Sequence, residues 1–174
     1  MKGNGNVIGQ ERQTERFDRI VFNCIGNVNV YPADNYRVVV TTDGNIQDFV
    51  AVEASNNILT FTLESDNNYN PTQLEFDVFL PELRSIKLNG MGNIKISSGK
   101  TSNLEIIHSG MGNIDARDYE IENIDLIFSG MGNVIIWVTK KLSGKISGMG
   151  KVLYKGNPKI DDLKISGMIA FKNL

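Results

Sequence analysis

Five copies of one short turn constrain this chain more than any other feature. They read Asn89-Gly90-Met91-Gly92-Asn93, Ser109-Gly110-Met111-Gly112-Asn113, Ser129-Gly130-Met131-Gly132-Asn133, Ser147-Gly148-Met149-Gly150-Lys151 and a worn Ser166-Gly167-Met168-Ile169. Their first glycines fall 20, 20, 18 and 19 residues apart. After each turn apolar and polar residues alternate, as in Ile94-Lys95-Ile96 and Val152-Leu153-Tyr154, which is the period of two of a β-strand. A second alternating run, such as Leu104-Glu105-Ile106 or Ile124-Asp125-Leu126-Ile127-Phe128, precedes the next turn. Short strands of this kind cannot bury their own apolar face, but stacked copies share one core.

The period therefore predicts an all-β fold: a right-handed parallel β-helix, or β-solenoid, with coils of 18–21 residues stacked about 4.8 Å apart. Residues 1–174 read as a single solenoid domain of about eight coils. Gly3-Asn4-Gly5-Asn6-Val7, Cys24-Ile25-Gly26-Asn27-Val28 and Asp43-Gly44-Asn45-Ile46 look like earlier, degraded copies of the turn. Residues 86–174 hold the regular Gly-Met-Gly-Asn coils, and residues 31–85 are a less regular, strand-rich section, either loose coils or an antiparallel cap. Within it, residues 36–41, 58–63 and 74–80 read as strands and Asn56-Asn57 as a hairpin turn. Residues 44–52 have room for one helical turn, and residues 65–71 form a polar loop.

Aligning the coils on the first glycine of each turn produces columns. Ile94, Ile114, Val134, Val152 and Phe171 form one core column, and Leu88, His108, Phe128, Ile146 and Ile165 another. Asn93, Asn113 and Asn133 would form a ladder of amides bonded along the axis, ended by Lys151. The glycine pairs Gly90/Gly92, Gly110/Gly112, Gly130/Gly132 and Gly148/Gly150 permit the positive φ of a tight corner. The column Met91, Met111, Met131, Met149, Met168 has two readings. Pointing inward, it is flexible core filling; pointing outward, it is an apolar strip about 20 Å long of the kind that marks an interface between copies.

Composition narrows the function classes. An apolar share of 41% with 22% charged residues is that of a globular chain, and a net charge of -2 gives no case for nucleic acid. Cys24, the one cysteine, cannot form an internal disulfide and reads as a small packed residue. No run approaches the roughly 18 apolar residues of a transmembrane segment. The opening Met1-Lys2-Gly3-Asn4-Gly5 is no signal peptide, so the expectation is a cytosolic protein or a chain whose export segment has been trimmed. His108, the one histidine, falls in a core column, and no second histidine or cysteine pair completes a zinc set. The clustered carboxylates of a calcium site are absent from the pattern, and the glycine turns lack the following helix that would hold a phosphate. No metal, no cofactor and no catalytic residue is expected.

Some parallel β-helices act on polysaccharides, so carboxylates and bases gathered on one face matter. Glu105 and Asp125 share a column, and Lys95 and Asp115 another, but the next coil replaces them with Ser143 and Ile135. These read as a solvated strand face. A polysaccharide lyase or glycosidase is the alternative, favoured by a groove with three or more convergent charged groups. Residues 1–88 carry 7 basic and 12 acidic groups, and residues 89–174 carry 11 and 8. The late lysines, among them Lys151, Lys155, Lys159, Lys164 and Lys172, read as a guard against end-to-end stacking of the last coil, or as an attraction for anionic glycans.

The chain resembles the head GIN domain family, a bacterial family of autotransporter adhesin head domains of largely unassigned function. The likeness rests on Gly5-Asn6-Val7-Ile8, Phe17-Asp18-Arg19-Ile20 leading to Gly26-Asn27-Val28, Leu80-Pro81-Glu82-Leu83, and Tyr154-Lys155-Gly156-Asn157-Pro158. The family pattern has Ser-Gly-Ser-Gly-Asn turns, whereas this chain places Met at the middle of all five. The resemblance implies a multimeric β-helical protein of the Gram-negative cell envelope, periplasmic or at the outer surface, exported by a signal or lipoprotein segment, with no catalytic residues to carry over. The expectation is a non-catalytic surface protein, an adhesin or assembly module. Its expected partners are a glycan, a surface protein or further copies of itself.

Overall fold

The computed structural model describes residues 1–64 and 68–174. The chain is all-β. Its strands are β1 (Val7–Arg12), β2 (Phe17–Asn23), β3 (Ile25–Pro32), β4 (Arg37–Asp43), β5 (Val50–Ser55), β6 (Asn57–Leu63), β7 (Leu74–Leu80), β8 (Ser85–Leu88), β9 (Met91–Ile96), β10 (Gly99–His108), β11 (Ile114–Phe128), β12 (Met131–Ile146), β13 (Met149–Lys155), β14 (Lys159–Ile165) and β15 (Met168–Asn173). They make one mixed sheet.

In the second half every pairing is parallel, and the register equals the sequence period. Leu104 lies opposite Ile124 and His108 opposite Phe128; Ile114 lies opposite Val134 and Phe128 opposite Ile146. The long strands β11 and β12 serve two ladders at once, one through β9, β13 and β15, the other through β8, β10 and β14. Ile94, Ile114, Val134 and Val152 are buried in one column, and Leu88, His108, Phe128 and Ile146 in the other. Ile165 ends its column largely exposed, because no further strand covers β14.

The first half corrects the expectation of a purely parallel β-helix wound in chain order. β1 pairs antiparallel with β4, β4 with β7, and β5 with β6. β2 lies between β6 and β8, and β3 between β7 and β9. The strands at residues 57–80 thus sit outside the copy that starts at Cys24, and the chain returns to that copy's other side at Ser85. The section left open between loose coils and an antiparallel cap contains both. Gly3–Val7 and Asp43–Ile46 are not corners: one leads into β1, the other into a single 3-10 turn at Gln47–Phe49.

Aromatic packing explains why the cap holds. Phe22, Phe61 and Phe76 are fully buried, with ring centroids 4.7 to 6.0 Å apart, so their large apolar areas close the core at this end. Asn56 and Asn57 have φ of 53° and 63°, the two positive values that a type I′ hairpin requires. The buried Asp43 carboxylate ties the N-terminal segment down, accepting the N–H of Gly5 at 2.7 Å and of Thr72 at 2.6 Å. Residues 65–67 of the expected polar loop lie outside the described residues.

Candidate functional site

The turn copies stack into a corner whose backbones touch. A Cβ built at Gly112 would lie 1.8 Å from the Gly92 carbonyl oxygen, and one at Gly132 would lie 1.7 Å from that of Gly112. Both glycines have φ above 130°, where a side chain is strained in any case. With the backbone pressed inward, the side chain between the glycines points out. Met91, Met111, Met131, Met149 and Met168 are between 42% and 69% exposed and stand opposite one another in parallel register. Ile25 extends the row beyond Met91. Of the two readings of the methionine column, the outward one is the geometry of the molecule.

The strip is bordered by neutral hydrogen-bonded ladders. On one side Asn93 donates to Asn27 Oδ1 at 3.0 Å, Asn113 to Asn93 Oδ1 at 2.8 Å and Asn133 to Asn113 Oδ1 at 3.0 Å. The ladder begins one rung earlier than the expected Asn93 and stops before Lys151, which lies opposite Asn133. On the other side Asn89 donates to Asn23 Oδ1, and the Ser109 hydroxyl to Asn89 Oδ1. From Asn89 to Asn133 the corner copies carry no charged residue.

A second feature lies on the outer face of the ladder through β8, β10, β11 and β12. A cleft of about 650 Å³ is lined by residues that include Arg84, Asn103, Glu105, Asn123, Asp125 and Lys141. A smaller hollow of about 330 Å³ adjoins it and shares Arg84 and Glu105. Glu105 and Asp125 are register neighbours, with Ser143 next in the row, as the column alignment expects. Arg84 and Lys141, which that alignment did not single out, converge with them. Arg84 is held by Asp18 and Glu82, and Lys141 by Asp161 at 2.9 Å. That hydrogen bond and ion pair keep Lys141 above the ordinary lysine range and Asp161 below the ordinary carboxylate range. Lys95 and Asp115 are also register neighbours, but Asp115 is engaged by Arg117.

His108 is fully buried between Leu88 and Phe128, with the Phe128 ring edge-on at 4.9 Å. Its Nε2 lies 2.8 Å from the Gly112 carbonyl oxygen. A carbonyl only accepts, so Nε2 carries the proton, and the buried Nδ1 has no partner among the described residues. Burial pushes its pKa below the ordinary histidine value, against the hydrogen bond to Gly112. Cys24 is buried where other copies have the first turn glycine, and burial raises its thiol to about 11, so it is no nucleophile at neutral pH. Among the described residues no group of three or more His, Cys, Asp or Glu is placed to hold a metal ion. None of their helices is long and apolar enough to cross a membrane.

Residues 16–98 and 87–158 each match the family described as "Putative auto-transporter adhesin, head GIN domain". The chain belongs to that family. No curated protein matches it. Among solved structures, a putative adhesin from Bacteroides fragilis is similar over 100% of both chains, with 18% identity and a TM-score of 0.69. A putative lipid binding protein from Parabacteroides distasonis is similar over 100% of this chain and 99% of its own, with 20% identity and a TM-score of 0.57. A putative adhesin from Parabacteroides merdae covers 100% and 98%, with 16% identity and a TM-score of 0.53. At these identities the likeness is one of fold.

Proposed function

We propose that the chain is a non-catalytic binding and assembly module of the bacterial cell envelope or surface, and that copies of it associate along the methionine corner. Family membership and adhesin-like neighbours support a surface role. The observation that carries the assembly reading is the exposed methionine row itself. An apolar strip about 20 Å long, four strand spacings, is unusual on an isolated protein and marks a contact. Along Met91, Met111 and Met131 its flanks are neutral amides and hydroxyls, so two corners can meet there without charge repulsion, an apolar centre within a polar rim, while Lys151 flanks Met149. In this reading the chain from Met91 onward winds as a right-handed parallel β-helix, supported by the in-register pairing and by the strong right-handed preference of parallel crossovers. Sedimentation velocity tests the assembly: wild-type protein sediments as an oligomer, and Met111→Ser with Met131→Ser shifts the profile toward monomer. An unchanged profile would refute it.

A second reading is favoured by one observation. Glu105 and Asp125, on adjacent parallel strands, share one cleft with Arg84 and Lys141, the groove of three or more charged groups that a polysaccharide-acting enzyme would use. Release of reducing ends from a polysaccharide by wild-type protein, lost in Glu105→Gln, would establish that enzyme in place of the binding module.

A further inference from the structure

We infer that the cleft across β10, β11 and β12 is a binding site for a neutral, hydroxyl-rich glycan chain laid along the stacking direction; this rests on the non-catalytic binding reading above and supplies its ligand class. The cleft presents the same polar doublet twice, Asn103 with Glu105 and Asn123 with Asp125, one strand spacing apart in parallel register. A strand spacing of about 4.8 Å is close to the length of one sugar unit in an extended glycan, so successive units meet the same amide and carboxylate.

The charges select among ligands. Like charges placed directly opposite each other on neighbouring strands cost stability, yet Glu105 and Asp125 are so placed, and neither is in an ion pair or side-chain hydrogen bond among the described residues. The cations of the cleft are already paired, Arg84 with Asp18 and with Glu82, a third carboxylate of the lining, and Lys141 with Asp161, beside which it also feels Asp125. What the cleft offers is therefore mainly acceptor oxygens: Asn123 spends its amide N–H groups on the Ser102 carbonyl and Asn103 Oδ1, which leaves Asn123 Oδ1 as an acceptor and the Asn103 amide as the donor. Sugar hydroxyls donate to carboxylates and exchange both roles with amides. A polyanion would meet a lining in which Glu82, Glu105 and Asp125 outnumber Arg84 and Lys141, so the lysines of the last strands do not make this cleft an anion site. The adjoining hollow at Arg19, Ser85 and Lys87 extends the floor along the same axis, giving a longer chain further contacts.

The test is titration of the 15N-labelled full chain, followed by amide shifts, with cellohexaose, chitohexaose, maltohexaose and mannohexaose. Parallel titrations use polygalacturonate and a lysine-rich peptide, and the shorter neutral oligosaccharides give the length dependence. The expected result is saturable shifts at residues 82–85, 102–105, 123–125 and 141–143 with at least one neutral hexamer, weakening as the oligosaccharide shortens. Glu105→Gln and Asp125→Asn each weaken binding roughly tenfold or more, as expected for lost charge-assisted hydrogen bonds, while Asp34→Asn, at an exposed carboxylate outside the cleft, leaves it unchanged. No shift with any neutral hexamer, tighter binding of polygalacturonate or of the peptide, or shifts centred on the methionine corner would overturn the assignment. New reducing ends in the titrated samples would instead overturn the non-catalytic reading and leave the ligand class standing.

Discussion

The Asn113 side-chain amide donates to Asn93 Oδ1 at 2.8 Å, and the same oxygen accepts the Asn113 backbone N–H at 3.2 Å. Asn133 repeats both contacts on Asn113 Oδ1, each at 3.0 Å. One side chain thus bonds to the next strand twice, once through a neighbour's amide and once through its backbone, at a corner where the ladder would otherwise leave polar groups to water.

The middle rung matters more than the last. Asn113→Ala removes its own donor and the oxygen that two Asn133 groups use, whereas Asn133→Ala removes a single donor. With a net worth of about 0.5–1.5 kcal/mol per hydrogen bond, and with exposure favouring the lower end, Asn113→Ala should cost about 1–2 kcal/mol. Asn133→Ala should cost less than about 1 kcal/mol. Thermal denaturation of the two variants checks this, at roughly 2–4 °C per kcal/mol for a chain of this size.

Gly132 tolerates no side chain. The built Cβ would lie 1.7 Å from a backbone oxygen at φ 139°, so Gly132→Ala must push two stacked corners apart and is expected to cost more than about 3 kcal/mol. Gly9→Ala is the control, since its Cβ would make ordinary contacts at 3.5 Å or more. Denaturant unfolding should separate the two variants clearly; equal midpoints would show that the corners are not stacked as closely as described.

His108 should make the fold acid-labile. The folded state resists protonation of the buried ring, while the unfolded chain takes up a proton near pH 6.5. The unfolded state therefore binds more protons below that pH, and stability declines as pH falls through and below it. His108→Leu replaces the ring by the residue type found at Leu88 in the same column and should flatten the melting temperature between pH 7 and pH 5. A wild-type curve flat over that window would mean that the ring takes up its proton as readily in the folded state as in the unfolded chain.

How much of this could be read from the residues depends on where glycine anchors the register. From Leu88 onward the turns recur at nearly constant spacing, so alignment places Ile114 over Ile94 and His108 beside Phe128 correctly. Before Leu88 no such anchor exists. Leu74–Leu80 alternates in the same way whether it pairs parallel with β3 or antiparallel with β4, and it does both, so its place outside the Cys24 copy had no local signature. The direction of the methionines was ambiguous for a related reason. Counting strand parity back from Ile94 puts Met91 outside, but a corner between two glycines need not keep parity. In the cleft, Glu105 and Asp125 share an alignable column. Arg84 precedes the first regular turn, and Lys141 follows Asn103 and Asn123 in a column whose first two members are uncharged, so a search for columns of charged residues did not bring them in.

Native methionine oxidation at several protein concentrations tests the assembly corner most directly. Peroxide converts an exposed methionine to a polar sulfoxide and spares a covered one, and Met1, 46% exposed and outside the turn repeats, is the internal reference. In dilute protein Met111 and Met131 should oxidise about as readily as Met1. In concentrated protein they should become protected relative to Met1, in step with the rise in sedimentation coefficient. Oxidation of Met111 and Met131 at a constant ratio to Met1 across the whole range would mean that nothing covers the corner, and would contradict assembly through it.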